Sequence, residues 1–303
     1  MDRREVLIGG LTMAAAAATS GGARAAAAGP LITRKIPSSG EPIPVIGLGT
    51  SGPFEVGNSP AERAPLKEVL EAFFAAGARL IDTSPMYSTA EGVLGDLLTP
   101  AMHERVFLAT KVWTRGQRDG VQQMTKSGEI MKHPKLDLIQ VHNLLDLDTQ
   151  LKTLRAWQAE GRVRYIGITH YTVGAQSDLA KVIEREKLDF VQLNYSAGTP
   201  NAEEKLLPLA ADKGVAVLVN RPFEDGRMFE AVRGKPVPPW AADIDATSWG
   251  QVFLKYVLAH PAVTAAIPAT GKVRHLEDNL AAGRGRLPDA KQRALIVQAL
   301  KGT

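Results

Sequence analysis

The feature that most constrains this chain is a repeat of form rather than of residues. Eight short apolar runs alternate with longer amphipathic stretches. The runs are VIGLG (45–49), ARLIDTS (78–84), VFLATKV (106–112), LDLIQVHN (136–143), RYIGITH (164–170), FVQLNYS (190–196), VAVLVNRP (215–222) and VTAAIP (263–268). Between them lie helical patterns such as LKEVLEAFFAAG, closed by Gly77, then DTQLKTLRAWQAEG, QSDLAKVIEREK, AEEKLLPLAADKG and SWGQVFLKYVLAHP. Near-continuous apolar strands joined by helices predict a parallel sheet covered by helices. Eight such units predict an α/β fold, a (β/α)8 TIM barrel in one domain. Ahead of them, LITRKIPSSGEPIPV reads as a β-hairpin turning at Ser38-Ser39-Gly40.

An open doubly wound sheet is the rival. GLGTSG (47–52) matches the glycine spacing of a dinucleotide-binding turn. That turn needs a helix to begin at the loop, so that its amino terminus meets the pyrophosphate. Here residues 53–60 read as loop, so the rival is set aside. The glycines are expected to let the first barrel strand approach a neighbour closely.

The amino terminus reads differently from the rest. Arg3 and Arg4 precede an Ala-rich apolar stretch too short for a membrane span, and Ala23-Arg24-Ala25 matches a small-x-small cleavage site. The pattern resembles a twin-arginine (Tat) export signal; an Ala-rich tail is the plainer reading. The expected division is 1–28 as signal and 29–303 as barrel. The expected location is periplasmic or exported, with the Tat machinery as a partner and no stable membrane insertion after signal removal. The chain has no cysteine, which excludes disulfides and thiolate metal sites. Its net charge of +4 comes without a long basic run, so no nucleic-acid partner is expected.

Barrel sites sit where the strands end. The second strand ends at Asp82, with Tyr87 in its loop; the third ends at Lys111 and the fourth at His142. Taken singly, each has a structural reading: a helix cap, a packed ring, a rim cation, a satisfied core histidine. Taken together, polar groups ending neighbouring apolar strands are seldom core filler, because burying them unpaired is costly. Their chemistry is coherent. A nearby ammonium is expected to lower the pKa of the Tyr87 phenol, and Asp82 to hold the lysine charged. His142 can orient a carbonyl and share proton transfer. Such a set donates a proton to a carbonyl oxygen, and since no side chain supplies hydride, a nicotinamide is implied.

The motifs GLGT (47–50), IDTSPMY (81–87), ATKVW (109–113), LIQVHN (138–143), GIT (167–169), QLNYS (192–196) and IPATGKVRHLEDN (267–279) resemble those of aldo-keto reductases. The resemblance implies a barrel, NADPH as hydride donor and reversible reduction of aldehydes or ketones. Asp82, Tyr87, Lys111 and His142 fall on the family's catalytic tetrad. By the same resemblance, Thr50 and Asp82 lie near the nicotinamide ribose, and Gln192 with Thr169 holds the carboxamide. Tyr195 is expected to stack on the nicotinamide, or else to be a packed aromatic at a strand end. Asn220 and Arg221 follow the pyrophosphate, and Asp278 and Asn279 meet the adenine.

The chain departs from the pattern in places. Thr169-His170 replaces a common Ser-Asn pair, and Ala269-Thr270 and His275 stand where many relatives bind the 2′-phosphate. Lys272 and Arg274 lie close by and lean toward NADPH over NADH; their plainer reading is a solvated helix start. Phe54, Met86, Trp113 and Phe223 are expected to line a partly apolar substrate pocket, and 223–248 to form an irregular lid. Arg115 is expected to be a rim arginine with no ligand, the alternative being a contact that favours an anionic substrate. The leading reading is an NADPH-dependent reductase acting on a small-molecule carbonyl substrate. The alternative is a low-turnover NADP(H)-binding sensor or interaction subunit on the same barrel. No metal is expected: a metal-dependent hydrolase lacks a paired-histidine strand motif here, and His142 has no evident ligand partner.

Overall fold

The computed structural model describes residues 29–301. The expected export signal therefore lies outside the described residues. Strands run β1 Thr33–Lys35, β2 Pro42–Pro44, β3 Leu48–Gly49, β4 Leu80–Asp82, β5 Phe107–Val112, β6 Leu136–His142, β7 Val163–Thr169, β8 Phe190–Asn194, β9 Ala216–Asn220 and β10 Val263–Ala266. Helices run α1 Pro60–Ala75, α2 Ala90–Leu97, α3 Pro100–His103, α4 Gln117–Ile130, α5 Leu147–Ala159, α6 Gln176–Arg185, α7 Leu206–Asp212, α8 Arg227–Ala231, α9 Trp249–Ala259, α10 Val273–Ala282 and α11 Ala290–Lys301.

Strands β3 to β10 form one parallel sheet in chain order. Its two edges meet: Gly47 N donates to Ala266 O at 2.9 Å, Ala266 N to Val45 O at 2.9 Å, and Gly49 N to Pro268 O at 3.2 Å. Closure explains the glycines. A Cβ at Gly49 would stand 2.7 Å from the Ile267 carbonyl oxygen, and one at Gly47 would stand 2.8 Å from that of Leu80. No helix opens after Gly52. The first one waits for Ser59, whose hydroxyl caps Glu62 N while Pro60 takes the first helical position. Gly77, at φ +84°, ends the same helix in the left-handed region that a Cβ disfavours.

The hairpin β1–β2 plugs the end where the strands begin. Ile36 and Ile43 join Leu80, Phe107, Leu138, Phe190 and Leu218 in an apolar cluster inside the barrel. Arg34 ties the hairpin to the far end of the chain, donating to the carbonyls of Leu258, His260 and Val263. Around the same rim Glu41 pairs with Arg79 and Arg164 and accepts from Tyr165 Oη. The larger core lies between the strands and the surrounding helices. Segment 223–248 carries more structure than the expected irregular lid: 3-10 turns at Glu224–Gly226 and Pro239–Ile244 flank α8.

Candidate functional site

The register of three neighbouring strands sets the site. Asp82 of β4 stands beside Ala109 of β5, and Lys111 of β5 beside Gln140 of β6. All point inward near the strand ends. Lys111, wholly buried, donates to Asp82 Oδ2 and to the Thr83 carbonyl oxygen, each at 2.7 Å. Its Nζ sits 4.8 Å from the centroid of the Tyr87 ring. Tyr87 and His142 meet edge to face, with centroids 6.1 Å apart. Ser84 Oγ lies 3.2 Å from His142 Nδ1.

Electrostatics corrects one expectation. Burial works against the Lys111 charge, but Asp82 and Tyr87 outweigh it and raise the lysine pKa. The Tyr87 phenol is not acidified overall. Burial raises its pKa, Lys111 pulls it down and Asp82 pushes it back up, so the net direction is upward. The ring of His142 is pushed down to about 3, by burial first and then by Lys111 and His170, so it is neutral at ordinary pH.

A polar relay runs behind this group. Asp82 Oδ1 accepts from Gln192 Nε2 at 2.8 Å and from Gln140 Nε2 at 3.2 Å. Because a carboxylate only accepts, it fixes which end of each amide faces it. The Gln192 carbonyl then faces Thr169 Oγ1 at 3.2 Å and Asn220 Nδ2 at 3.3 Å. Gln192 therefore has its polar atoms occupied by protein. Thr50 Oγ1 donates to the Asp82 carbonyl at 3.1 Å and joins the same wall.

These residues open on a cavity of about 1260 Å³ that runs from Tyr87 and His142 to the start of α10. Thr50, Asp82, Thr169, Gln192, Asn220 and Arg221 line it along the strand ends, and Met86, Trp113 and Phe223 line it from the loops. Asp278 and Asn279 line the distant end. Asp278 is held in place by Ser248 Oγ and Gln251 Nε2, each at 2.7 Å. Arg221 reaches the wall at φ +49°, with its guanidinium paired to Asp225 and lying over the Tyr171 ring.

Four expected positions are placed elsewhere. Tyr195 is fully buried away from the cavity, and its hydroxyl donates to Glu203 at 2.7 Å beside Tyr256 and Arg293. It is the packed strand-end aromatic. Phe54 is fully buried in the core rather than lining the pocket. Lys272 and Arg274 are exposed at the start of α10 and do not line the cavity, whereas His275 does. Since α10 begins at Val273, residues 275, 278 and 279 share its inner face at spacings of three and four. Sequence reasoning also passed over Gln140, Ser84 and Asn143. Gln140 had a readable signal: it lies two residues before His142 on the same face of β6.

Among the described residues no group of three or more His, Cys, Asp or Glu converges on a metal site, and no helix is long and apolar enough to cross a membrane.

The geometry can be set beside known proteins. The chain is 26% identical over 246 residues to methylglyoxal reductase YeaE of Escherichia coli, covering 79% of this chain and 85% of that protein. It is 26% identical over 227 residues to an NADH-specific methylglyoxal reductase of the same organism, covering 64% and 68%. A crystal structure of a Klebsiella pneumoniae aldo-keto reductase in complex with NADPH superposes with a TM-score of 0.73 at 23% identity, over 88% of this chain and 95% of that one. A thermostable aldo-keto reductase crystallised with the inhibitor epalrestat gives 0.74 at 24% identity, over 89% and 100%. The sequence model of the aldo/keto reductase family matches residues 45–299, from the first barrel strand into α11. A barrel closed by eight strands, an enzymatic set at their ends and a match of that length lead to one conclusion: the chain belongs to the aldo/keto reductase family.

Proposed function

We propose that this protein is an NADPH-dependent reductase of aldehydes and ketones, with Tyr87 as the proton donor. The observation that carries the reading is the convergence of Tyr87, Asp82 and His142 on one cavity, with Lys111 buried behind its wall, 2.7 Å from Asp82 and 4.8 Å from the centroid of the Tyr87 ring. The raised phenol pKa suits a donor, since the group keeps its proton at neutral pH until a carbonyl oxygen gains negative charge. Lys111 then stabilises the phenolate left behind, and Asp82 keeps Lys111 charged and fixed. His142 orients the carbonyl.

The cavity fits a dinucleotide together with a small substrate. Its volume exceeds the roughly 300–1,000 Å³ usual for a pocket holding one small ligand. Two cavity-lining side chains, Asn143 and Asn220, keep a buried carbonyl oxygen without a protein partner. The start of α10 lies at the end far from Tyr87, where helix N–H groups favour an anion. When bound, the nicotinamide supplies the hydride. Thr50, Asp82, Thr169, Asn220 and Arg221 would hold its near half along the wall that Gln192 braces, and His275, Asp278 and Asn279 its far half. Lys272 and Arg274 have no ion-pair partner among the described residues, and that local charge favours NADPH over NADH. The names of the two Escherichia coli relatives put methylglyoxal on the substrate panel.

Mixing the pure protein with NADPH and a carbonyl panel, and following loss of reduced-cofactor absorbance, tests the reading. Turnover is expected, and Tyr87→Phe should lower it by about 10²–10⁴-fold while the cofactor still binds. No oxidation with any compound, or full activity in Tyr87→Phe, overturns it. NADPH affinity should fall relative to NADH in Lys272→Ala/Arg274→Ala. The arginine pair at residues 3 and 4 supports export by the twin-arginine route, which cell fractionation tests.

A further inference from the structure

Ser84 lies outside the catalytic four, yet it touches two parts of the site at once. It is 1% exposed, on the loop leaving β4. Its carbonyl oxygen accepts from Tyr87 N at 3.0 Å and so closes the turn that carries the phenol. Its hydroxyl oxygen lies 3.2 Å from His142 Nδ1 and 3.3 Å from Met86 N. We propose that Ser84 is a positioning residue that fixes His142 in the tautomer with its proton on Nε2, so that the ring offers a donor to the substrate carbonyl. The inference rests on the reductase reading above and specifies how that site orients its substrate.

The argument is one of counting protons. A backbone N–H can only donate, so Met86 takes one lone pair of the Ser84 hydroxyl. The hydroxyl has a single proton, and among the described residues its other partner is His142 Nδ1. Were Nδ1 protonated, it would occupy the second lone pair, and the serine proton would be buried without an acceptor. Buried donors are almost always paired, because leaving one unmet is costly. With Nδ1 bare, the hydroxyl donates to it and every atom is satisfied.

A neutral imidazole then carries its proton on Nε2, which has no protein partner among the described residues, on a ring that lines the cavity. Double protonation is opposed by burial and by the Lys111 charge. The choice has a chemical consequence. A carbonyl oxygen presents lone pairs, so an Nε2–H attracts it, whereas a bare Nε2 would set lone pair against lone pair.

The test is long-range proton–nitrogen correlation NMR on the full chain labelled with ¹⁵N-histidine, with the His142 signals identified by their loss in His142→Gln. The wild type should show the proton on Nε2. Ser84→Ala should lose that preference and lower kcat/KM about tenfold, the size of one hydrogen bond. Ser84→Thr keeps a hydroxyl and should restore both the tautomer and most of the rate. A proton on Nδ1 in the wild type overturns the proposal, as does Ser84→Ala with an unchanged tautomer and full kcat/KM. Should Ser84→Ala not fold, Ser84→Cys, nearly the same size but a far weaker donor, takes its place with the same two readouts. The spectrum needs no turnover, so a protein that reduces nothing defeats the reductase reading while leaving the tautomer measurable.

Discussion

Where the strands begin, the barrel is filled by Ile36, Ile43, Phe107 and Phe190, and its rim charges are shared: Glu41 has Arg79, Arg164 and Tyr165 as partners. Where the strands finish, the charges are fewer, drier and less replaceable. Lys111 has one carboxylate, Asp82, and both are buried. The difference shows how one fold divides its labour. The plugged end spreads its polar contacts over several half-exposed groups, so losing one leaves the rest paired. The open end concentrates charge in a pair that cannot lose a member without stranding the other.

Lys111→Met should break the open end outright. It leaves the Asp82 carboxylate buried and unpaired, which costs about 3–5 kcal/mol in urea unfolding, and it should abolish turnover. An active, stable Lys111→Met would erase the contrast. At the plugged end, Ile43→Ala should cost about 2–5 kcal/mol as a cavity while leaving kcat and KM near wild type, which would show that the two ends are separable.

Acid sharpens the comparison further. The folded pKa of His142 lies far below its unfolded value of about 6.5. Between the two values the unfolded chain binds a proton that the folded chain refuses. Stability is therefore intact above pH ~6.5 and falls as pH drops toward 3, by about 1.4 kcal/mol per pH unit within that window. Unfolding curves for His142→Gln should lose this share of the slope. The smallest effect belongs to Tyr165→Phe, which removes a hydroxyl that donates to Glu41 and accepts from Ser39 Oγ. It should cost about 1 kcal/mol with unchanged turnover, because Glu41 keeps both arginines.

Much of this molecule is legible in its residues, and the exceptions follow a rule. The strands are plain because each is an apolar run, and Asp82, Lys111 and His142 are plain because each interrupts such a run at its end. Tyr195 is not, because it follows the last residue of β8, where the alternation of faces ceases to say which way a ring turns. Phe54 looks the same in sequence whether its loop tucks it inward or opens it to a ligand. Whether Lys272 and Arg274 line the cavity or only add charge at its far end is not readable until the first residue of α10 is known. Shifting that start by one residue changes which side chains face the cavity. The phenol pKa depended on burial, a quantity that belongs to the packed molecule and not to the order of its residues.

The seating of the hairpin has a consequence for biosynthesis. Arg34 grips carbonyls of residues 258–263, and Ile32 N donates to the carbonyl of Gly283. Two residues of the first described segment thus have their partners near the end of the chain, and contacts so remote in sequence are slow to form. The bonds of Arg34 and Ile32 therefore cannot form until the last units of the barrel have left the ribosome.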